Sequence, residues 1–247
     1  PTSADEVRVT TAATSGAVLS GLLPNATHYL FARALNWNGV PSDWAALGAT
    51  ATRIETPSTV YFDGISSTTL LVRATATAGG FSNLSTGAAS AGVFLDGAFK
   101  GFVSGSSMTL ITGLTANTSY SLKAKARNLA GLETDESASV STFTLAAQPR
   151  TATPSFTGAA VSSLAVQWTN NGNPAGTEYR VNASTASDWT GSADLTSAWF
   201  TGTSTSVVSL GVNATYYLRV RARNAHGLET AYTDLGSTAT LAAVPGT

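Results

Sequence analysis

One phrase occurs three times in 247 residues, at domain-sized spacing, and it limits the possible folds more than any other feature of the chain. Asn25-Ala26-Thr27-His28 leads to Asn36-Trp37-Asn38-Gly39. Asn117-Thr118-Ser119-Tyr120 leads to Asn128-Leu129-Ala130-Gly131, and Asn213-Ala214-Thr215-Tyr216 leads to Asn224-Ala225-His226-Gly227. The copies start 92 residues (25 to 117) and 96 residues (117 to 213) apart. A chain of this length holds one large domain or two to three small ones, and a repeat of this spacing decides for the small ones.

Each copy reads as a strand. Tyr216, Leu218, Val220 and Ala222 alternate with Tyr217, Arg219, Arg221 and Arg223. That period of two buries one face and wets the other. The second copy puts Tyr120, Leu122, Ala124 and Ala126 inside, with Ser121, Lys123, Lys125 and Arg127 outside. The first keeps Leu30, Ala32 and Ala34, with His28 in the Tyr position. Six residues before each of these stands a Leu: Leu22, Leu114 and Leu210. A Tyr so placed can bury its ring while its hydroxyl meets upstream backbone, the tyrosine corner of β-sandwiches.

Leu-x-Pro-x-Thr-x-Tyr, then alternating apolar residues, Ala-x-Asn and a Gly turn, resembles the E–F corner and F strand of a fibronectin type III domain. Leu164-Ala165-Val166-Gln167-Trp168 resembles that family's B strand, whose Trp packs into the core. The second repeat has Ala74 where the third has Trp168, and the Pro of the motif stands only at Pro24. The resemblance spans essentially the whole chain. It implies an all-β protein of tandem immunoglobulin-like (fibronectin type III) sandwiches, two complete and one N-terminally incomplete. The expected boundaries are 1–56 for the partial module, 57–148 for the second and 149–247 for the third. Glu6-Val7-Arg8-Val9 aligns with Glu178-Tyr179-Arg180-Val181, so the first module lacks its two opening strands. Three explanations stand open: an excerpt of a longer array, closure of the half-module on its neighbour, or strands supplied by another chain.

Charged residues make up only 11% of the chain, and 13 basic residues face 14 acidic ones. That balance argues against a surface that reads nucleic-acid phosphates. No apolar run approaches the roughly 20 residues of a membrane helix, so membrane insertion is not expected. There is no Cys, hence no disulfide, thiolate metal site or Cys nucleophile. The low charge and Ser/Thr richness suggest a secreted or cell-surface chain, of bacterial type.

No catalytic residue, cofactor site or metal site is expected. The two His, His28 and His226, lie in different repeats. His28 reads as the occupant of the corner slot, and His226 as a solvated turn residue. Glu133-Thr134-Asp135-Glu136 lacks the alternating oxygen ligands around a Gly that a calcium loop needs. Candidate contacts with a partner or glycan are the basic row Arg219, Arg221 and Arg223 and the aromatics Trp37, Trp44, Trp189 and Trp199. The bland reading of the basic row is a solvated face with cross-strand partners such as Glu178. Tryptophan faces can stack on sugars, but they also cover loop backbone. Phe31 and Leu35 stand where the other repeats carry Lys or Arg, which suggests an interface.

The expected function is a non-catalytic extracellular structural or adhesive segment that spaces or displays domains of a larger protein. Its expected partners are other modules of the same or a neighbouring chain. Two alternatives are a subunit of an extracellular fibre or sheath completed by strands from another chain, and a carbohydrate-binding accessory module taking polysaccharide. Five Asn-x-Ser/Thr tripeptides begin at Asn25, Asn83, Asn117, Asn182 and Asn213; three belong to the repeated phrase and read first as a fold signature.

Overall fold

The computed structural model describes residues 16–77, 80–190 and 195–245. The segment Glu6–Val9 lies outside the described residues. All seventeen regular elements among those described are strands. Contacts gather them into two compact units. One holds the described residues up to Phe62, with Val72–Thr109 and Ser121–Val140. The other holds Asp63–Leu71, Leu110–Tyr120 and the described residues from Ser141 on.

In the first repeat β1 (Thr27–Ala32) pairs antiparallel with β2 (Ala45–Ala51). These two strands form a sheet of their own. The inner row of β1 is poorly covered: Leu30 is half-buried and Ala32 exposed, as is Ala34 beyond it. The matching residues Leu122, Ala124, Ala126, Leu218, Val220 and Ala222 are fully buried. Among the described residues the first repeat is therefore a half-sandwich.

The second repeat contributes β3 (Pro57–Ile65), β4 (Leu70–Ala76), β5 (Ser90–Leu95), β6 (Ala98–Ser104), β7 (Met108–Ile111), β8 (Ser119–Arg127) and β9 (Val140–Phe143). Their orders are β3-β4-β7 in one sheet and β6-β5-β8-β9 in the other. The hairpin from β5 to β6 turns on Asp96 and Gly97, with φ of 46° and 82°. Two successive left-handed residues make the tight turn that Asp-Gly favours. Inside this hairpin Gly92 is required by space: a methyl there would lie 2.5 Å from the Gly101 carbonyl oxygen and 2.8 Å from the Phe99 ring.

The third repeat contributes β10 (Arg150–Ala159), β11 (Leu164–Thr169), β12 (Glu178–Ser184), β13 (Leu195–Thr196), β14 (Phe200–Thr201), β15 (Ser204–Val207), β16 (Thr215–Arg223) and β17 (Thr233–Ala239). One sheet runs β10-β11-β15. The other runs β13-β12-β16-β17, with β14 also on β12. A single core joins the two, with Leu164, Val166 and Trp168 of β11 against Tyr179 and Val181 of β12 and Leu218 and Val220 of β16. Trp168 is 3% exposed and its ring lies 5.6 Å from Tyr179 and 5.9 Å from Phe200. Ala74, at the same place in the second repeat, is also buried.

In all three repeats the polar tip of a ring meets turn backbone at the corner, accepting an N–H in the second and third and donating to a carbonyl in the first. The Thr115 N–H donates to the Tyr120 hydroxyl at 2.8 Å, and the Gly211 N–H to the Tyr216 hydroxyl at 2.8 Å. His28 takes the same slot, half-buried, and its Nε2–H donates to the Leu23 carbonyl at 3.2 Å. A ring with one polar tip is what the slot requires, because its body packs while its tip satisfies turn backbone.

Candidate functional site: the junctions between repeats

The Asn that opens each repeated phrase sits in a left-handed backbone conformation, with φ of 46° at Asn25, 44° at Asn117 and 51° at Asn213. Asn tolerates this region better than other side-chain-bearing residues. Each also donates its N–H to a carbonyl just beyond its own repeat's last strand: Arg53 at 2.9 Å, Leu145 at 3.0 Å and Leu241 at 3.1 Å. A Thr locks the same corner. Thr52 Oγ1 donates to the Leu23 carbonyl at 2.6 Å, Thr144 Oγ1 to Thr115 at 2.7 Å and Thr240 Oγ1 to Gly211 at 2.6 Å.

This pole receives the turn that closes the phrase in the next repeat. At the first junction, which lies within the first unit, the Leu129 N–H donates to Asn25 Oδ1 at 2.7 Å. Asn128 Nδ2 donates to the Thr52 carbonyl at 2.9 Å. Asn25 Nδ2 reaches the Ser82 and Asn83 carbonyls at 2.7 and 3.0 Å. At the second junction, within the second unit, the Ala225 N–H donates to Asn117 Oδ1 at 2.8 Å and Asn224 Nδ2 to the Thr144 carbonyl at 3.2 Å. Asn117 Nδ2 donates to Thr177 Oγ1 at 3.0 Å. Both junctions thus use the same two asparagines and the same backbone groups.

The incoming turn is preformed by its own Asn. Asn128 Oδ1 accepts from the Ala130 and Leu132 N–H groups at 3.1 and 2.8 Å, and Asn224 Oδ1 from His226 and Leu228 at 3.1 and 2.9 Å. Its oxygen shapes the turn and its nitrogen is left to bind the neighbour. An Asp there would keep the first function and lose the second. His226, expected to be solvated, is exposed at its backbone turn but sets its ring edge-on to Phe143 at 5.1 Å. Behind the first junction Glu55 accepts the Ser82 N–H at 2.9 Å and also the Ser82 hydroxyl. Burial pushes its carboxyl up, but the hydrogen bonds from Ser82 outweigh that and hold it below the ordinary value.

The residues picked out by sequence lie elsewhere. Arg219, Arg221 and Arg223 project from the outer face of β16 and interleave with aromatics. Arg219 lies 3.9 Å from the centres of both Trp189 and Tyr232, Arg221 lies 4.5 Å from Tyr232, and Arg223 and Arg180 each lie 4.5 Å from Trp199. Ion pairs cap the row: Arg223 Nε with Glu178 at 2.6 Å, and Arg221 with Glu229. The structure brings Trp189, Trp199 and the three arginines into one stack of alternating cations and rings, an arrangement stabilised by the ring quadrupole. The second repeat builds a shorter version, with Lys125 4.4 Å from the Phe99 ring centre and Arg127 4.4 Å from Phe102. Glu133 and Glu136 pair with Lys125 and Lys123 at 2.6 and 3.4 Å.

The first-repeat candidates are separate from that stack. Phe31 and Leu35 are 43% and 56% exposed, and Arg33 lies over the Trp44 ring at 4.6 Å. Trp37 is fully exposed at the tip of its turn. The junction asparagines Asn25, Asn117, Asn128 and Asn224 were not among the sequence candidates. The repeated phrase contains both members of each pair, but nothing local shows that one copy's first Asn meets the next copy's last.

No family model and no curated protein matches the sequence. Among solved structures, a two-domain fibronectin type III segment of chicken tenascin superposes with a TM-score of 0.50 at 19% identity. It covers 75% of this chain and 100% of the tenascin segment. The fold is that of tandem fibronectin type III domains. Two further arrays overlap with low scores that add nothing to this assignment. The chicken CNTN1 FN1–FN3 domains match at TM-score 0.32 and 16% identity over 90% of this chain and 80% of theirs. The central fibronectin-III array of RIM-binding protein matches at 0.29 and 16% over 77% and 71%. The likeness to the tenascin segment is one of fold: all-β, in tandem sandwiches.

Proposed function

We propose that the chain is a non-catalytic structural segment of a secreted or cell-surface protein, in which hydrogen-bonded junctions hold successive fibronectin type III domains in fixed order and orientation. One observation carries this reading: the same pair of asparagines joins the first repeat to the second and the second to the third, with donor–acceptor distances of 2.7–3.2 Å. Linked domains without such bonds move relative to each other by default. Each junction lies within one compact unit and restrains the two repeats it joins.

The five glutamates among the described residues support the same reading. Glu55, Glu133, Glu136, Glu178 and Glu229 are each committed to a hydrogen bond or ion pair that ties strands or loops together. The low charge and the Ser/Thr-rich composition support placement outside the cell.

Nitrogen-15 relaxation on the whole chain tests the proposal. Neighbouring repeats should share one rotational correlation time, and Asn25→Gly together with Asn117→Gly should shorten and separate the values. Repeats that already tumble independently in the unsubstituted chain would refute a spacer held by its junctions.

A further inference from the structure

The outer face of β12 and β16 gathers positive charge that ion pairs only half neutralise. Arg180 stands directly opposite Arg221 on the neighbouring strand, and Arg219, opposite Asn182, lies on the diagonal from Arg180. Like charges set opposite each other on paired strands are destabilising. In the second repeat the counterpart of Arg221 is Lys125, and the residue opposite it is Gly92. Arg180 is thus an added cation. The third repeat carries four guanidinium groups on this face, where the second carries Lys123, Lys125 and Arg127.

Glu178 pairs with Arg223 and Glu229 with Arg221. Among the described residues no ion pair reaches Arg180 or Arg219. Asp234 stands opposite Arg219 on β17, but its Oδ1 accepts the Gly236 N–H at 3.0 Å. Asp188, beside Trp189, accepts the Thr190 N–H and hydroxyl at 3.1 and 2.8 Å. In the second repeat every cation of the row has an acceptor: Lys123 and Lys125 have Glu136 and Glu133, and Arg127 Nε donates to the Ala88 carbonyl at 2.9 Å and to Ser90 Oγ at 2.7 Å. The Nε atoms of Arg180, Arg219 and Arg221 are buried in the stack without an acceptor. The terminal N–H groups of Arg180 and Arg219 are therefore what is left for a ligand, and they form the fork that takes a carboxylate.

We propose that Arg180 and Arg219 bind carboxylate groups of an acidic polysaccharide, a polyuronate laid along the outer face of β12 and β16. Two of the four forks on this face already hold carboxylates, those of Glu178 and Glu229, and the ligand supplies the other two. Diagonal neighbours on paired strands lie roughly 7–8 Å apart, within reach of two carboxylates on one sugar chain. Trp189, Trp199 and Tyr232 stay partly exposed beside the open forks. A uronic acid carries its carboxylate and a rigid flank of C–H groups on one ring, so a single sugar meets fork and aromatic ring together. An acidic peptide offers the carboxylates on flexible stems, without that flank. The site belongs to the third repeat alone and does not depend on the junctions.

The test is a titration of the nitrogen-15-labelled full chain with an oligomer of galacturonic acid, using its methyl ester as the uncharged control. Shifts should gather at the Trp189 and Trp199 indoles and at the Arg180 and Arg219 side chains, and should shrink as salt is raised. Arg180→Gln combined with Arg219→Gln should weaken binding about tenfold. Lys123→Gln in the second repeat, where the amino group is already paired, should leave it unchanged. Glu229→Gln opens the Arg221 fork and should tighten binding about threefold, a gain that loss of folding could not produce. Absence of shifts, an equal response to the methyl ester, or unchanged binding in the double arginine variant would overturn the proposal. So would binding in Glu229→Gln that is no tighter than in the unsubstituted chain. Poly-glutamate bound as tightly as the uronate, or a response to dextran sulfate alone, would equally overturn it, the first by making the face a surface for acidic proteins.

Discussion

The Ala225 N–H donates to Asn117 Oδ1 at 2.8 Å across 108 positions of sequence. Asn117 is the first residue of one copy of the repeated phrase, and Ala225 follows the first Asn of the turn in the next. The bond therefore ties the closing corner of one sandwich to the turn of its neighbour. Its twin, from Leu129 to Asn25, spans 104 positions at 2.7 Å.

Removing the Asn117 side chain should weaken the second junction without disturbing its backbone. Asn117→Gly keeps the left-handed conformation accessible and deletes two hydrogen bonds, with an expected cost of about 1–3 kcal/mol. Asn213→Gly makes the same chemical change where the side chain has no such bond among the described residues, and should stay within about 0.5 kcal/mol. Denaturant unfolding of both variants checks the difference, since any intrinsic penalty of Gly is common to the two.

Tyr120→Phe and Tyr216→Phe should each lower stability by about 0.5–1.5 kcal/mol, the net worth of one hydrogen bond to a turn N–H. The ring packing is retained in both. Thermal unfolding monitored by circular dichroism reads the loss. Equal stability of Tyr216→Phe and the unsubstituted chain would show that the corner hydroxyl is dispensable.

How much of this was legible in the sequence divides along range. The β8 and β16 strands, the tyrosine corners and the buried Trp168 could all be read, because a period-two pattern and a six-residue Leu-to-Tyr spacing are local. The β5–β6 hairpin is also encoded locally, in the Asp96-Gly97 pair whose left-handed backbone makes the turn. The junctions were not legible. Asn25 and Leu129, or Thr144 and Asn224, meet only once two domains are folded and placed, and no local pattern encodes that meeting. The sequence leaves the arginine row open between a partner or glycan contact and a solvated face with Glu178 as partner. Glu178 does pair with Arg223, but Trp189, Trp199 and Tyr232 come from loops far enough away in sequence that their insertion between the guanidinium groups could not be foreseen.

Acid should loosen the first junction. Glu55 holds Ser82, and Ser82 holds the Asn25 amide, so the carboxylate supports the lock from behind. Its pKa is depressed in the folded state from an ordinary value of 4.5. The stabilisation is therefore present above that value and lost as pH falls through the lower folded value. The midpoint of unfolding, followed from about pH 6 to pH 3, should drop more for the unsubstituted chain than for Glu55→Gln. Parallel curves would remove Glu55 from the account.

Gly92→Ala should be poorly tolerated, at a cost of about 1–3 kcal/mol. The added methyl meets the Gly101 carbonyl oxygen and the Phe99 ring, and the carbonyl belongs to a paired strand. Gly97→Ala, where a methyl meets nothing within 4 Å but φ is 82°, separates backbone strain from overlap. Equilibrium unfolding of the pair distinguishes the two causes.

Asparagine hydrogen bonds close the junctions, and native-state hydrogen exchange at three amides reads them one by one. Leu129 and Ala225 donate across junctions, whereas Trp37 occupies the same place in a turn that meets no preceding repeat among the described residues. Junctions closed in this way protect the Leu129 and Ala225 amides and not that of Trp37, and protection should be lost at Leu129 in Asn25→Gly and at Ala225 in Asn117→Gly. Exchange at Leu129 and Ala225 as fast as at Trp37 would contradict that closure.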